Sequence, residues 1–368
     1  GVSSAASDVY KRQVRSNPHK YLIETNPLLT DLKQFMGSDY LLSKLGYDPD
    51  QSAKRLGDGF YEQRLIQQAV TARTGQRFLD GQNSDEGMFK YLMNNAIASK
   101  DSLNLAVGVT LTSQQVAALT HDIVWLEEQE VNGEKVLVPV LYLANANNRL
   151  APNGALVQGR DVTLIAGKDL VNSGTLRASE NLSATAGTDL INGGLIEAGN
   201  RLNLLAGDNV VNQSGGIIAG RDVTVRALAG DVINERSITT FQSNPGSTTQ
   251  RLDYADNAGR IEARNDLNVG AGRDINNIGG VLSSGGDTTL IAARDVNLVS
   301  AQEHDKLTRD RYLNESITQH GSSVSVGRDL AVSAGRDLTA VASQIEAKRN
   351  IAMDLSLIHI SEPTRQAE

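Results

Sequence analysis

A short phrase recurs through the second half of this chain: Gly159-Arg160-Asp161-Val162, Ser179-Glu180-Asn181-Leu182, Gly199-Asn200-Arg201-Leu202 and Gly220-Arg221-Asp222-Val223, at steps of 20, 20 and 21 residues. A fixed period in this range specifies a solenoid, in which each repeat is one rung that cannot bury its apolar face alone. A second half-phrase follows the first in each rung: DLVN at Asp169–Asn172, DLIN at Asp189–Asn192, NVVN at Asn209–Asn212, DVIN at Asp231–Asn234 and DINN at Asp274–Asn277. Aligned rungs give aliphatic columns: Val162, Leu182, Leu202 and Val223; Leu164, Ala184, Leu204 and Val225; Leu170, Leu190, Val210 and Val232. Their neighbours Thr163, Ser183, Asn203 and Thr224 are polar. Alternation at period two, wrapped on a rung of about 20 residues, predicts a mostly β protein built as a parallel β-helix. Ordering one rung costs more backbone entropy than its few aliphatic side chains return, so stacking is obligatory. Asn172, Asn192, Asn212, Asn234 and Asn277 share one column and are expected to form a structural amide ladder.

The rungs are expected over residues 149–354. Two polar stretches, near 236–260 and 302–320, break the period and are expected to protrude as loops. The pattern resumes as IEAR at Ile261–Arg264 and GRDL at Gly327–Leu330 and Gly335–Leu338. No polar cap closes the last rung, as expected of a solenoid cut short.

Residues 14–148 do not repeat and read as a small α-rich module. Tyr40, Leu41, Leu42 and Leu45 make a short apolar face ending at Gly46, and Asp48-Pro49-Asp50 suits a turn or helix start. Asp58 can cap a helix carrying Tyr61, Leu65, Ala69 and Ala72 and stopped by Gly75. Ser84 opens another, with Met88, Leu92 and Ala96, and Thr112 a third, with Val116 and Leu119. Strands at Ile123–Leu126 and Val136–Leu143 flank Asn132-Gly133, a strong hairpin signal. Pro139 weakens the second strand or places it at an edge. Asn145–Asn153 reads as a linker.

The two ends stand apart. Val2–Gln13 (VSSAASDVYKRQ) and Leu355–Glu368 (LSLIHISEPTRQAE) resemble translated sequencing-adapter tails. Residues 1–13 and 355–368 are therefore expected not to be native, and the remainder to be an internal piece of a longer protein.

Composition narrows the function. Aromatics make up 4% of residues against 34 Gly, which suits a rod of small aliphatics better than a compact globule. A net charge of −8 disfavours nucleic acid and anionic membranes as general partners. With no Cys there are neither disulfides nor thiolate metal sites, which suits export. No apolar run reaches the roughly 20 residues of a membrane-spanning helix, and no signal peptide opens the chain. Any targeting region is expected outside this stretch.

Candidate chemistry is sparse. His19, His121, His304, His320 and His359 show no metal-binding spacing. His121-Asp122 could be half of a triad but reads as a helix-to-strand corner. Asp161, Asp169, Asp222, Asp274, Asp329 and Asp337 sit in the rung phrases, where a carboxylate can bond turn N–H groups. Gly285-Gly286-Asp287 is too short for a calcium roll, and Gly187-Thr188-Asp189 and Gly270-Ala271-Gly272 are not phosphate loops. Arg160, Arg221, Arg273, Arg328 and Arg336 could line up as a basic stripe, offset by the neighbouring Asp. No cofactor, metal site or small-molecule substrate is indicated.

The phrases GRDVTLIAGKDLVNSGTL, GTDLINGGLIEAGNRLNLLAGDNVVN and AGRDLTAVAS resemble the repeats of filamentous haemagglutinins, large adhesins and contact-dependent growth inhibition effectors exported by two-partner secretion. YLIETNP (Tyr21–Pro27), GSDYLLSKLGYDPD (Gly37–Asp50) and KRLGDGFYEQRLI (Lys54–Ile66) resemble the non-repetitive module that precedes a repeat block in that family. The resemblance implies a secreted, surface-exposed, non-catalytic rod used in cell–cell contact or toxin delivery. It also implies an outer-membrane transporter and a target-cell receptor as partners, with no nucleic acid. The alternative is a β-helix lyase or glycosidase acting on carbohydrate, which should cluster acids or Arg on one face over adjacent rungs, where a stalk should spread them.

Overall fold

The computed structural model describes residues 20–23, 36–144 and 155–362. Residues 1–13, His19 and the expected linker at 145–153 lie outside them. The chain divides into two compact units, residues 1–145 and 146–368.

In the first unit, helices Asp39–Lys44, Gly59–Thr74, Asp85–Leu103 and Ser113–Ala118 start where capping chemistry allows. Asp58 Oδ1 accepts from Tyr61 N at 2.9 Å and Ser84 Oγ from Gly87 N at 3.0 Å. Thr112 and Gln115 close a reciprocal capping box. Met88, Leu92 and Ala96 are fully buried, as their spacing predicts. Of the stripe expected on Gly59–Thr74, Tyr61 and Ala69 are buried, whereas Leu65 is half-buried and Ala72 exposed; Glu62, Ile66 and Val70 complete the inward face. A buried glutamate reads as surface in a hydrophobicity pattern, so the sequence places part of the stripe one position out of phase.

The hairpin pairs Ile123–Val131 with Glu134–Tyr142, turning on Asn132 and Gly133 with φ of 51° and 77°. The second strand is interior, because Arg55–Gly57 lies along its other side in parallel. Leu137 N donates to Lys54 O at 2.9 Å, and that pairing reaches no further than Leu137. Pro139, two residues on, would supply the next donor in that direction and has none. The proline therefore ends a ladder within the sheet and does not mark an edge.

The second unit is the parallel β-helix. Each coil from Leu195 on contributes three strands, the first two of which run together as one in Leu156–Ala166 and Thr175–Ala186, and like positions of successive coils pair in parallel. Val162 pairs with Leu182, Leu182 with Leu202, and Leu202 with Val223. Leu170, Leu190, Val210 and Val232 are paired in the same way on another sheet. Leu182, Leu202, Leu204, Val223 and Val225 are at most 1% exposed, in one continuous aliphatic core. Gly194 shows why corners are glycine: a Cβ there would sit 2.1 Å from Gly174 O one coil below. Leu357–Ser361 pairs with Asp337–Val341, with Leu357, Ile358 and Ile360 exposed.

The two interruptions are not loops. Ile238–Ser243 pairs antiparallel with Thr248–Ala255, and Ala301–Arg309 with Tyr312–His320. Thr248–Arg251 then pairs antiparallel with Lys306–Arg309 and joins the two hairpins edge to edge. Both leave the helix at the same corner, after Val232–Glu235 and after Val296–Val299, which are two coils apart in their sheet. A hairpin is two strands wide, and strands and coils share a spacing of about 4.8 Å, so hairpins on every second coil tile without a gap. Their strands are solvated on most positions, so their sequence reads as polar loop. The strand signal lies in Thr, Phe, Tyr and Leu and in turns at Gly246 and Asp310, both with positive φ.

Candidate functional site

Three ladders of polar side chains run from coil to coil. Asn172 Nδ2 donates to Asn192 Oδ1 at 2.8 Å; Asn192, Asn212 and Asn234 donate in turn to Asn212, Asn234 and Asn277, each at 2.9 Å. All five are buried. Each amide also donates to a glycine carbonyl at its own corner, as Asn212 does to Gly216 O at 2.8 Å. The column continues as Leu298 and Ala340, so the amide chain stops at Asn277 and aliphatic packing takes over.

The aspartates form the other two ladders. On one corner, Asp274 Oδ1 accepts from Asp295 N at 2.9 Å, and Asp295 Oδ1 from Asp337 N at 3.1 Å. On another, Asp287 Oδ1 accepts from Asp329 N and Asp329 Oδ1 from Asn350 N, both at 3.1 Å. The expected bond to turn N–H groups is thus made to the next coil. The preceding arginine adds a second contact to the same carboxylate. Arg294 Nη2 lies 2.6 Å from Asp274, Arg336 Nη2 2.6 Å from Asp295 and Arg349 Nη2 2.6 Å from Asp329. At Arg273-Asp274, Arg294-Asp295 and Arg328-Asp329 the Arg-Asp dipeptide is therefore an inter-coil staple: its Arg contacts the carboxylate below, its N–H caps it, and its own Asp receives the coil above. The arginine bond holds the Asp274, Asp295 and Asp329 carboxyls below their ordinary value.

Acids are thus aligned on adjacent coils, the pattern expected of a carbohydrate-active enzyme. Here the alignment follows from the repeat, and the carboxylates are engaged in holding coils together. Arg273 and Arg328 likewise pair with Asp231 and with Asp266 and Asp287. Asp122 is buried and accepts from Ala144 N at 2.7 Å, while His121 is exposed beside Thr120, so this pair is a corner.

The joint between the hairpins is not evident from the sequence. Asp253 N donates to Asp305 Oδ1 at 2.9 Å and His304 N to Asp253 Oδ2 at 2.7 Å, where the ladder between the hairpins gives out. Burial opposes the charge on Asp253. The His304 N–H, the Thr240 hydroxyl and Arg251 outweigh it and hold the carboxyl below its usual value. His320 Nε2 lies 2.7 Å from Glu303 Oε1 in a buried pair across the second hairpin, and His304 contacts Glu315. In the first unit, Glu62 Oε1 accepts from Ser38 N at 2.7 Å, joining two of the stretches quoted above from the non-repetitive module. Burial pushes the Glu62 carboxyl up to about 7 against the pull of Ser38 and Arg55.

The family model described as Haemagglutinin repeat matches residues 141–213, 182–240 and 296–352, and a second, Hemagglutinin repeat, matches 239–315, a stretch that takes in most of both hairpins. Deoxyribonuclease CdiA of Dickeya dadantii (strain 3937) is 39% identical over 88% of this chain and 10% of that protein. The tRNA nuclease CdiA of Yersinia mollaretii is 36% identical over 86% of the chain and 11% of its own length. The 16S rRNA endonuclease CdiA of Enterobacter cloacae subsp. cloacae is 34% identical over 71% of the chain and 8% of its own.

The chain belongs to the filamentous haemagglutinin family of contact-dependent inhibition exoproteins.

It spans about a tenth of the length of the curated relatives it matches. No solved structure matches it. As a haemagglutinin-repeat segment it is part of a secreted protein exposed at the cell surface. The matched residues of the two repeat models run across the stacked coils.

Proposed function

We propose that this segment is the non-catalytic structural part of a large exoprotein: a stalk that places other regions for cell–cell contact or toxin delivery. The supporting observation is what its charged residues do. Carboxylates along the aspartate ladders are engaged by the N–H, and in the later coils also by the Arg, of the next coil. The relatives support the same reading. The activities in their names differ, one on DNA, one on tRNA and one on 16S rRNA, yet each shares this segment at 34–39% identity. A part common to proteins of different activity is a carrier. On this reading residues 14–148 form a module leading into the repeats at 149–354. The partners are an outer-membrane transporter and a receptor on the target cell, with no nucleic acid or small-molecule substrate bound by the segment itself. The Asn ladder has a structural role, and the terminal strings 1–13 and 355–368 are foreign to the protein.

The test is to incubate the folded chain with a panel of polysaccharides. No turnover is expected. Turnover abolished by Asp274→Asn or Asp295→Asn would replace the stalk with a carbohydrate-active enzyme.

A further inference from the structure

The hairpin sheet ends on an open strand. In the second unit the order is Ile238–Ser243, Thr248–Ala255, Ala301–Arg309, Tyr312–His320, and Ile238–Ser243 is hydrogen-bonded on one side only. The geometry says which groups it offers. Asp256 N donates to Ser237 O, so Ser237 and Asp256 are a hydrogen-bonded pair, and such pairs alternate along an antiparallel ladder. Thr239 and Phe241 therefore point their backbone groups into the hairpin, and Ile238, Thr240 and Gln242 point theirs outward. Asp253, opposite Thr240, fits this phase, because its N–H points away from the hairpin to Asp305. The strand is exposed from Thr239 to Ser243, with Phe241 42% exposed.

Two-coil tiling explains why, among the described residues of this unit, nothing covers it. A further hairpin on that side would leave the corner two coils earlier, between Asn192 and Leu195, where the chain has only Gly193 and Gly194. The strand lacks the usual protections of an exposed edge: Ile238–Ser243 contains no charge and no proline.

The geometry points to this edge as the docking site for the same edge of a second copy of the chain, paired antiparallel about a two-fold axis. Two observations select that occupant. The sheet is already assembled by this kind of contact, since Thr248–Arg251 and Lys306–Arg309 join separate hairpins antiparallel, edge to edge. An uncharged strand laid antiparallel on itself also opposes no like charges, despite the net charge of −8 on the chain.

The experiment is sedimentation of the full 368-residue chain up to roughly 100 µM, beside Gln242→Pro and Gln242→Lys. Gln242 N–H faces outward, so proline there removes an edge donor and no hairpin bond. A concentration-dependent dimer is expected, weakened roughly a hundredfold in Gln242→Pro and reduced in Gln242→Lys. The hairpin's amide protection should stay unchanged in both variants. A chain that stays monomeric throughout, or a dimer that survives both substitutions, overturns the proposal. So does a monomer whose edge binds an extended uncharged peptide (a synthetic ITTFQS strand is the probe) but not its own copy.

Discussion

Asn212 and Asn234 lie 22 residues apart in sequence and 2.9 Å apart at their amide groups, Nδ2 of the first donating to Oδ1 of the second. Each interior Asn of the ladder is donor to one neighbour and acceptor to the other, so removing one breaks a ladder bond on each side.

Position in the ladder should therefore set the cost. Asn212→Leu leaves the buried Asn234 oxygen without its donor and takes one acceptor from the Asn192 amide, which keeps Gly194 O and Ile217 O, while Gly216 O keeps the Arg260 N–H; it should destabilise the helix by about 1–3 kcal/mol. Asn277→Leu extends the aliphatic column that already begins at Leu298 and breaks one ladder bond, from Asn234, together with the corner bonds to Gly280 O and Ser323 O. It should cost about half as much. Urea unfolding followed by far-UV circular dichroism compares the two, and equal costs would contradict the ladder.

The Arg-Asp staple separates into two contacts. Asp274→Ala loses both the Asp295 N–H and Arg294 and should cost about 1–3 kcal/mol. Asp274→Asn keeps an acceptor for the N–H, and Arg294→Ala removes only a solvent-screened partner, so each should destabilise less than Asp274→Ala. The carboxyls of Asp274, Asp295 and Asp329 are held down in the folded chain. Their contribution is then present above the unfolded carboxyl value near 4 and disappears as pH falls through the lower folded values. Thermal melts should show the coils losing stability below about pH 4.

Glu62 has the opposite sign. Its folded carboxyl titrates at about 7 against 4.5 in the open chain, so the folded unit binds the extra proton between those values. Stability of the first unit should be highest below about 4.5 and fall by roughly 3 kcal/mol as pH rises through 7. Glu62→Gln should flatten that fall. Trp125, the only tryptophan and fully buried, reports this unit by fluorescence. Unfolding midpoints that do not change between pH 5 and 8 would contradict the buried acid.

The hairpin joint should be separable from the coils. Asp253→Ala releases the His304 N–H, the Thr240 hydroxyl and Arg251 together. Hydrogen exchange should rise in residues 238–255 and 301–320 by about tenfold to a hundredfold, while the Leu202 and Val223 amides stay protected. Loss of protection throughout the coils would show that the hairpins hold the helix together.

The coils were legible because every rung repeats the same inward pattern, so one column calibrates the next. The caps at Asp58, Ser84 and Thr112 were legible for a local reason: the acceptor stands three residues from its donor. What the sequence hid depends on partners far along the chain. Asp253 meets His304 only because two hairpins leave the same corner two coils apart. Glu62 reads as solvent until Ser38 is seen to cover it. The Arg staples had a signal, the Arg-Asp dipeptide recurring at 273, 294, 328 and 336, but its meaning lies in the coil below and not in the adjacent turn.

The register of the coils is tested most directly by spin labels on outward positions that share a column. The chain has no Cys, so pairs can be placed cleanly. Asn203→Cys with Thr224→Cys joins residues that pair in adjacent coils. At a strand spacing of about 4.8 Å the labels should show strong dipolar broadening, with separations of about 5–10 Å. Asn203→Cys with Arg221→Cys, off that column, should broaden less. Sharp spectra from the first pair, or broadening no stronger than from the second, would contradict a helix of stacked twenty-residue coils.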